Sequence, residues 1–95
     1  MVVYYGIEIP TMEEADSQEN PIAKLHFSNG SWDWYVIGAK ALENGDIYFL
    51  GLVNGIEKEL GFFTLKQIES VGAILDRDFQ EIGVFDIYED FDLRM

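Results

Sequence analysis

The chain lacks cysteine entirely and has two prolines and a single histidine among its 95 residues. Without a thiol there is no disulfide, no thiolate nucleophile and no zinc–thiolate site, a usage that fits a reducing compartment such as the cytoplasm. Positive charge is scarce as well: six Lys and Arg stand against eighteen Asp and Glu, a net charge of −12. A surface of that sign repels phosphate, which excludes direct binding of a nucleic-acid backbone by counterion release. No apolar run approaches the ~20 residues of a membrane span. The start, Met1-Val2-Val3-Tyr4-Tyr5, lacks the basic region of a secretory signal. Catalysis has little to draw on, because His26 is the only imidazole and the spacing pairs it with none of Ser28, Ser31 or Ser70. The plain reading of His26 is a surface or edge residue, and the sequence predicts no enzyme and no cofactor.

What is present is enough for one packed interior. Apolar residues make up 48% of the chain and aromatics 15%, and the length suits a single domain over residues 1–95 rather than two cores. The acid is concentrated at the ends. Residues 1–23 carry a net charge of −5, residues 24–75 of −2 and residues 76–95 of −5. Solubility alone asks for a net charge of about 2–8 in magnitude on a small domain, and self-repulsion beyond that opposes compaction. The excess points to a function for the charge; the bland alternative is a very soluble protein from an acidic proteome.

Alternation and turn chemistry outline an α+β fold. Val2 to Ile9 reads as a strand ended by Pro10. Thr11 with Glu14 forms a capping-box pattern that predicts an acidic helical turn over Met12–Gln18, the alternative being a loop. Asn20-Pro21 closes that segment as a turn. Ala23–Phe27, Trp32–Ile37 running on toward Leu42, Ile47–Val53 and Glu57–Phe63 read as successive strands. The turns between them include Asn44-Gly45 and Asn54-Gly55, both strong hairpin signals. Thr64 with Gln67 opens a helix over Leu65–Val71 that Gly72 stops. Ala73–Asp76 and Gly83–Leu93 are strand-like, the latter with Phe85 and Ile87 on one side and Asp86, Asp90 and Asp92 on the other. The expected architecture is a mainly antiparallel, twisted sheet of about five or six strands with one or two short helices.

Several constellations can be weighed against plain structural roles. Asp76-Arg77-Asp78 is a carboxylate pair of the kind that binds Mg²⁺ or Ca²⁺, and with His26 it would make a small metal-dependent hydrolase. The plainer reading is an arginine tied to a neighbouring acid at the end of the sheet. Gly51, Gly55 and Gly61 lie outside any strand-to-helix phosphate loop, and Gly61 suggests a bulge or a close backbone approach. Trp32 and Trp34 lack the basic rails of a base-stacking platform. The acidic ends make the sharper proposal. Carboxylates at alternate strand positions, such as Asp90 and Asp92, lie about 6–7 Å apart, close to two phosphate steps of duplex DNA. Glu13, Glu14, Asp16 and Glu19 extend the same surface if the N-terminal segment docks near the C-terminus.

The order Ala23-Lys24-Leu25, Trp32-Asp33-Trp34-Tyr35, Phe49-Leu50-Gly51, Glu59-Leu60-Gly61-Phe62-Phe63-Thr64-Leu65, Gln67-Ile68-Glu69-Ser70 and Leu75-Asp76-Arg77-Asp78-Phe79 resembles domain-of-unknown-function family 2958. The segment between the helix and Asp76 is shorter than in that family, and the acidic C-terminal stretch lies beyond its usual end. The resemblance implies no catalytic residues. It implies a setting in plasmids, phages and other mobile elements, where small acidic proteins disable restriction or CRISPR nucleases.

These readings converge on one expectation. The chain is a non-enzymatic inhibitor acting in the cytoplasm, a nucleic-acid mimic that blocks a host defence nuclease or CRISPR effector as an anti-CRISPR or anti-restriction protein does. Its partner carries a basic groove, and Glu13, Glu14, Asp16, Glu19, Asp86, Glu89, Asp90 and Asp92 make the contact. The alternative is a protein–protein adaptor or oligomer-forming accessory, a homodimer included, that uses an exposed strand edge or the Trp32/Trp34 patch.

Overall fold

Apolar side chains at both alternating sets of positions between Trp34 and Phe63 require strands that bury two faces. The computed structural model describes residues 1–87 and shows how the rest of the chain covers those faces. The elements are β1 (Val2–Tyr4), β2 (Ile7–Ile9), α1 (Met12–Asp16), β3 (Ile22–Ala23), β4 (Leu25–Ser28) and β5 (Asp33–Ala41). They continue with β6 (Ile47–Asn54), β7 (Lys58–Thr64), α2 (Leu65–Ser70), β8 (Ile74–Leu75) and β9 (Ile82–Gly83). A helical turn, α3, follows at residues 84–87. The expected α+β fold is present: a five-stranded antiparallel sheet of order β7-β6-β5-β4-β8, with two small ribbons, β1–β2 and β3–β9, beside it.

The two faces of the sheet hold separate cores. One packs Leu25, Phe27, Trp34, Val36, Phe49 and Phe63 under the β1–β2 ribbon, through Ile9, and α2, through Ile68. The other packs Ile37, Leu50 and Leu52 under Ala15 of α1 and Val84 and Ile87 of α3. A bulge in β5 between Val36 and Gly38 bends the strand toward the second face. There Gly38 admits α1: a Cβ on it would lie 3.0 Å from the Met12 backbone.

Local chemistry places both helices. The Thr11 hydroxyl accepts from the Glu14 N–H and the Glu14 carboxylate accepts from the Thr11 N–H, closing the box that starts α1. Thr64 and Gln67 repeat this at α2. Asp46, buried in the β5–β6 hairpin, adds a second cap by accepting from the Lys66 N–H at 3.0 Å and the Ile47 N–H at 2.8 Å. Burial pushes the Asp46 carboxyl up. The backbone N–H groups of Lys66 and Ile47, the Thr64 hydroxyl and the Lys66 charge outweigh it and hold the group below the usual aspartate value.

Four expectations need correction. The strand over Val2–Ile9 is a hairpin, because Tyr5 and Gly6 both take positive φ, 50° and 78°, and pair Val2 with Ile9; such a two-residue turn matches strand twist. The strand over Ala23–Phe27 breaks at Lys24, so β3 pairs with β9 while β4 pairs with β5. Gly51, not Gly61, is the close approach: a Cβ on Gly51 would sit 2.0 Å from the Tyr35 carbonyl oxygen, whereas Gly61 has nothing within 4 Å. The strand over Gly83–Leu93 gives way to α3 within its described part. Val84 and Ile87, three residues apart, are both buried and Phe85 is exposed, which is helical spacing rather than period two. Glu89, Asp90 and Asp92 lie outside the described residues.

Candidate acidic binding face

The segment before β4 and the last described residues meet in space. The β3–β9 ribbon pairs Ile22 with Gly83, and the Val84 N–H donates to the Pro21 carbonyl at 2.7 Å. Asn20 completes the clasp. Its Oδ1 accepts from the Phe85 N–H at 2.9 Å, and its Nδ2 donates to the Asp86 carboxylate at 3.5 Å. Glu13, Glu14, Asp16, Glu19 and Asp86 are all exposed, and Glu13 and Asp16 line one groove with Phe85, the residue before Asp86. The clasp ties Asp86 to Asn20 of the N-terminal segment, and Glu89, Asp90 and Asp92 lie outside the described residues.

These carboxylates are not equivalent. Glu14 is spent on capping, and its hydrogen bonds to Thr11 hold it below the usual glutamate range. Asp86 lies on a helical turn and Glu13 and Asp16 on α1, so none belongs to a strand ladder. The two-phosphate-step spacing concerns Asp90 and Asp92, which lie outside the described residues. Among the described residues, Lys24 pairs with Glu81 at 3.0 Å next to the β3–β9 ribbon, and Arg77 lies 4.7 Å over the Tyr5 ring.

Beside the acids runs an apolar groove of about 500 Å³. Ile37 and Leu50 form its floor, Met12 of α1 one wall, Leu60 and Phe62 of β7 the other, and Phe85 of α3 an end. Phe62 is 60% exposed and Leu60 50%, with the Phe62 ring stacked on Tyr48 at 5.5 Å. Glu13 and Asp16 stand on the rim, and no lysine or arginine is among the described lining residues. Sequence reasoning missed this groove. The signal was Leu60-Gly61-Phe62-Phe63, apolar on both faces of a strand that the topology leaves at the edge.

The histidine is not the surface residue the sequence suggested. Its ring is stacked on Tyr35 at 4.6 Å, with Nε2 2.7 Å from Asp33 Oδ1 and Nδ1 2.9 Å from Asp76 Oδ2. Both ring nitrogens have carboxylate partners. The bond from His26, then one from the Asp78 N–H, hold Asp76 below the usual aspartate value. Burial, and then the charges of Asp33 and Asp76, raise the Tyr35 phenol. Arg77 does not pair with a neighbouring acid as expected but lies over Tyr5. Among the described residues no group of three or more His, Asp and Glu side chains is placed to hold a metal. Trp34 is buried and only Trp32, packed over Gly55, remains accessible from the tryptophan patch.

No helix among the described residues is long and apolar enough to cross a membrane. Compared with protein-family models, curated proteins and solved structures, the chain gives no match.

Proposed function

We propose that this chain is a non-enzymatic binding protein that presents its acidic end to a basic groove built for nucleic acid. The observation that supports the reading is the Asn20 clasp, which ties Asp86 to the acidic N-terminal segment that carries Glu13, Asp16 and Glu19. Charges grouped within about a Debye length, ~8 Å at physiological salt, act together on an approaching cation. Such a field speeds encounter with a basic surface and turns away nucleic acid itself. In the mobile-element setting that the sequence resemblance implies, the partner is a host defence nuclease or CRISPR effector in the cytoplasm, and the chain acts as its anti-CRISPR or anti-restriction inhibitor.

The test is capture from a bacterial lysate on the immobilised full chain. The reading expects a nucleic-acid-binding protein that excess duplex DNA displaces, and that the E13K/D16K/E19K variant no longer retains. Capture that survives both the DNA and the charge reversal overturns it. The adaptor reading is favoured by a different observation, the uncovered apolar groove at β7.

A further inference from the structure

Among the described residues, the second face of the sheet is covered only in part. α1 lies over β5 and α3 packs beside it, while β6 and β7 continue past them with Tyr48, Leu60 and Phe62 facing outward. Leu60 and Phe62 are adjacent on that face because side chains alternate along a strand. Together with Phe85 they present three large apolar side chains at 42–60% exposure around one groove. A contiguous apolar recess with a polar rim is the usual form of a protein-binding site rather than of idle surface.

Charge decides the occupant. Glu13 and Asp16 flank the groove, Asp86 follows its lining residue Phe85, and no cation is among the described lining residues, Lys58 lying farther along the same face of β7. A second copy of a chain with a net charge of −12 would bring like charge to this rim. The chain's own residues 88–95 carry Glu89, Asp90 and Asp92 against Arg94 and are repelled in the same sense. A basic segment of another protein is attracted. The open part of the sheet lies alongside α1, so a helix laid parallel to it would complete the layer that α1 begins. Such a helix sets apolar anchors at i, i+3 or i+4 and i+7 into the groove and leaves its basic flanks to the carboxylates.

We infer that the Met12–Leu60–Phe62–Phe85 groove is a docking site for a basic amphipathic helix of a partner protein, anchored by apolar contact and selected by the acidic rim. The inference deepens the acidic-end reading by naming the element of the partner that is held, and it rests on that reading for the partner's sign of charge.

Fluorescence anisotropy of the full chain with a labelled amphipathic leucine–lysine model peptide, about four turns long, tests it. The expected result is saturable binding that F62S weakens about tenfold or more, as loss of a central anchor does, and that L60S also weakens. D16N weakens it by a few-fold and flattens its salt dependence. The same peptide with glutamate in place of lysine does not bind. Both serine variants keep the parent's circular dichroism, because the side chains they remove are exposed. Binding unchanged by F62S and L60S overturns the groove, even where charge reversal abolishes capture and the acidic-end reading stands. Equal binding of the glutamate peptide overturns the requirement for a basic partner. Competition by a peptide of residues 88–95 assigns the groove to the chain's own end, and dimerisation through it, seen by sedimentation, assigns it to a second copy. Either result overturns the inference. Anchor-dependent binding that persists where duplex DNA displaces no captured protein keeps the groove and discards only the decoy.

Discussion

The two faces of the central sheet are built from the same strands yet meet different fates. On one, Phe27, Val36, Phe49 and Phe63 disappear beneath the β1–β2 hairpin and α2, and Phe49 has no exposed surface. On the other, α1 and α3 seal Ile37, Leu52 and their neighbours, while Phe62 on β7 is more than half exposed. The covering elements differ in what they spend their residues on. The β1–β2 hairpin and α2 contribute Ile9 and Ile68 to a core, whereas α1 contributes Ala15 and turns Glu13, Glu14 and Asp16 outward. One face is organised for stability. The other combines a thinner cover, an open groove and concentrated charge, which is the distribution expected of a binding surface.

Substitution of equivalent aromatics breaks the comparison most sharply. Phe49→Ala should destabilise by about 3–5 kcal/mol, the range for emptying a buried aromatic site. Phe62→Ala should change stability by less than ~1 kcal/mol. Urea denaturation of both variants reads the difference, and equal losses would show that the second face is as closed as the first. Next in size is the glycine pair across β6 and β7. Gly51→Ala forces a Cβ into the Tyr35 carbonyl and should cost about 1–3 kcal/mol or more. Gly61→Ala meets nothing and should lie within ~1 kcal/mol of the parent in the same assay.

Acid separates the carboxylates that hold the fold from those that face solvent. Asp46 and Asp76 are depressed below the aspartate value of 3.8 in the folded chain. Their contribution is therefore complete above that value and is lost as pH falls through the lower folded one. D76N removes its share at neutral pH and should lose stability less steeply than the parent as pH drops below about 4, followed by thermal melting at several pH values. The smallest effect is expected at the acidic end. E13K/D16K/E19K relieves repulsion between exposed like charges and should raise stability by a few tenths of a kcal/mol, ~0.5 at most. Added salt should narrow that gap by screening.

What was legible in the sequence was local. The Thr11 and Thr64 capping boxes, Gly72 (φ 85°) after α2 and the Asn44-Gly45 turn each depend on residues within four positions of one another, and each appears where read. Alternation placed β5, β6 and β7 to within two residues at most ends. The failures are contacts across long separations. Lys24 breaks a strand because Ile22–Ala23 finds β9 some 60 residues on, and the turn at 84–87 is met by Asn20, which accepts from the Phe85 N–H. Tyr5-Gly6 was hidden inside an apolar run that alternates on both sides of the turn. The His26 clamp needs Asp33 and Asp76, 7 and 50 residues away. The acidic residues were legible as composition, and their convergence only as a condition. The groove required knowing that β7 is an edge strand and that α1 stops after five residues.

Hydrogen–deuterium exchange of the full chain, with and without the leucine–lysine peptide, puts the contrast between the faces to its most direct test. The account predicts slowed exchange in Met12–Asp16 and Lys58–Thr64, with the β1–β2 hairpin and α2 unchanged. Protection confined to the hairpin and α2, or none anywhere at saturating peptide, would contradict it.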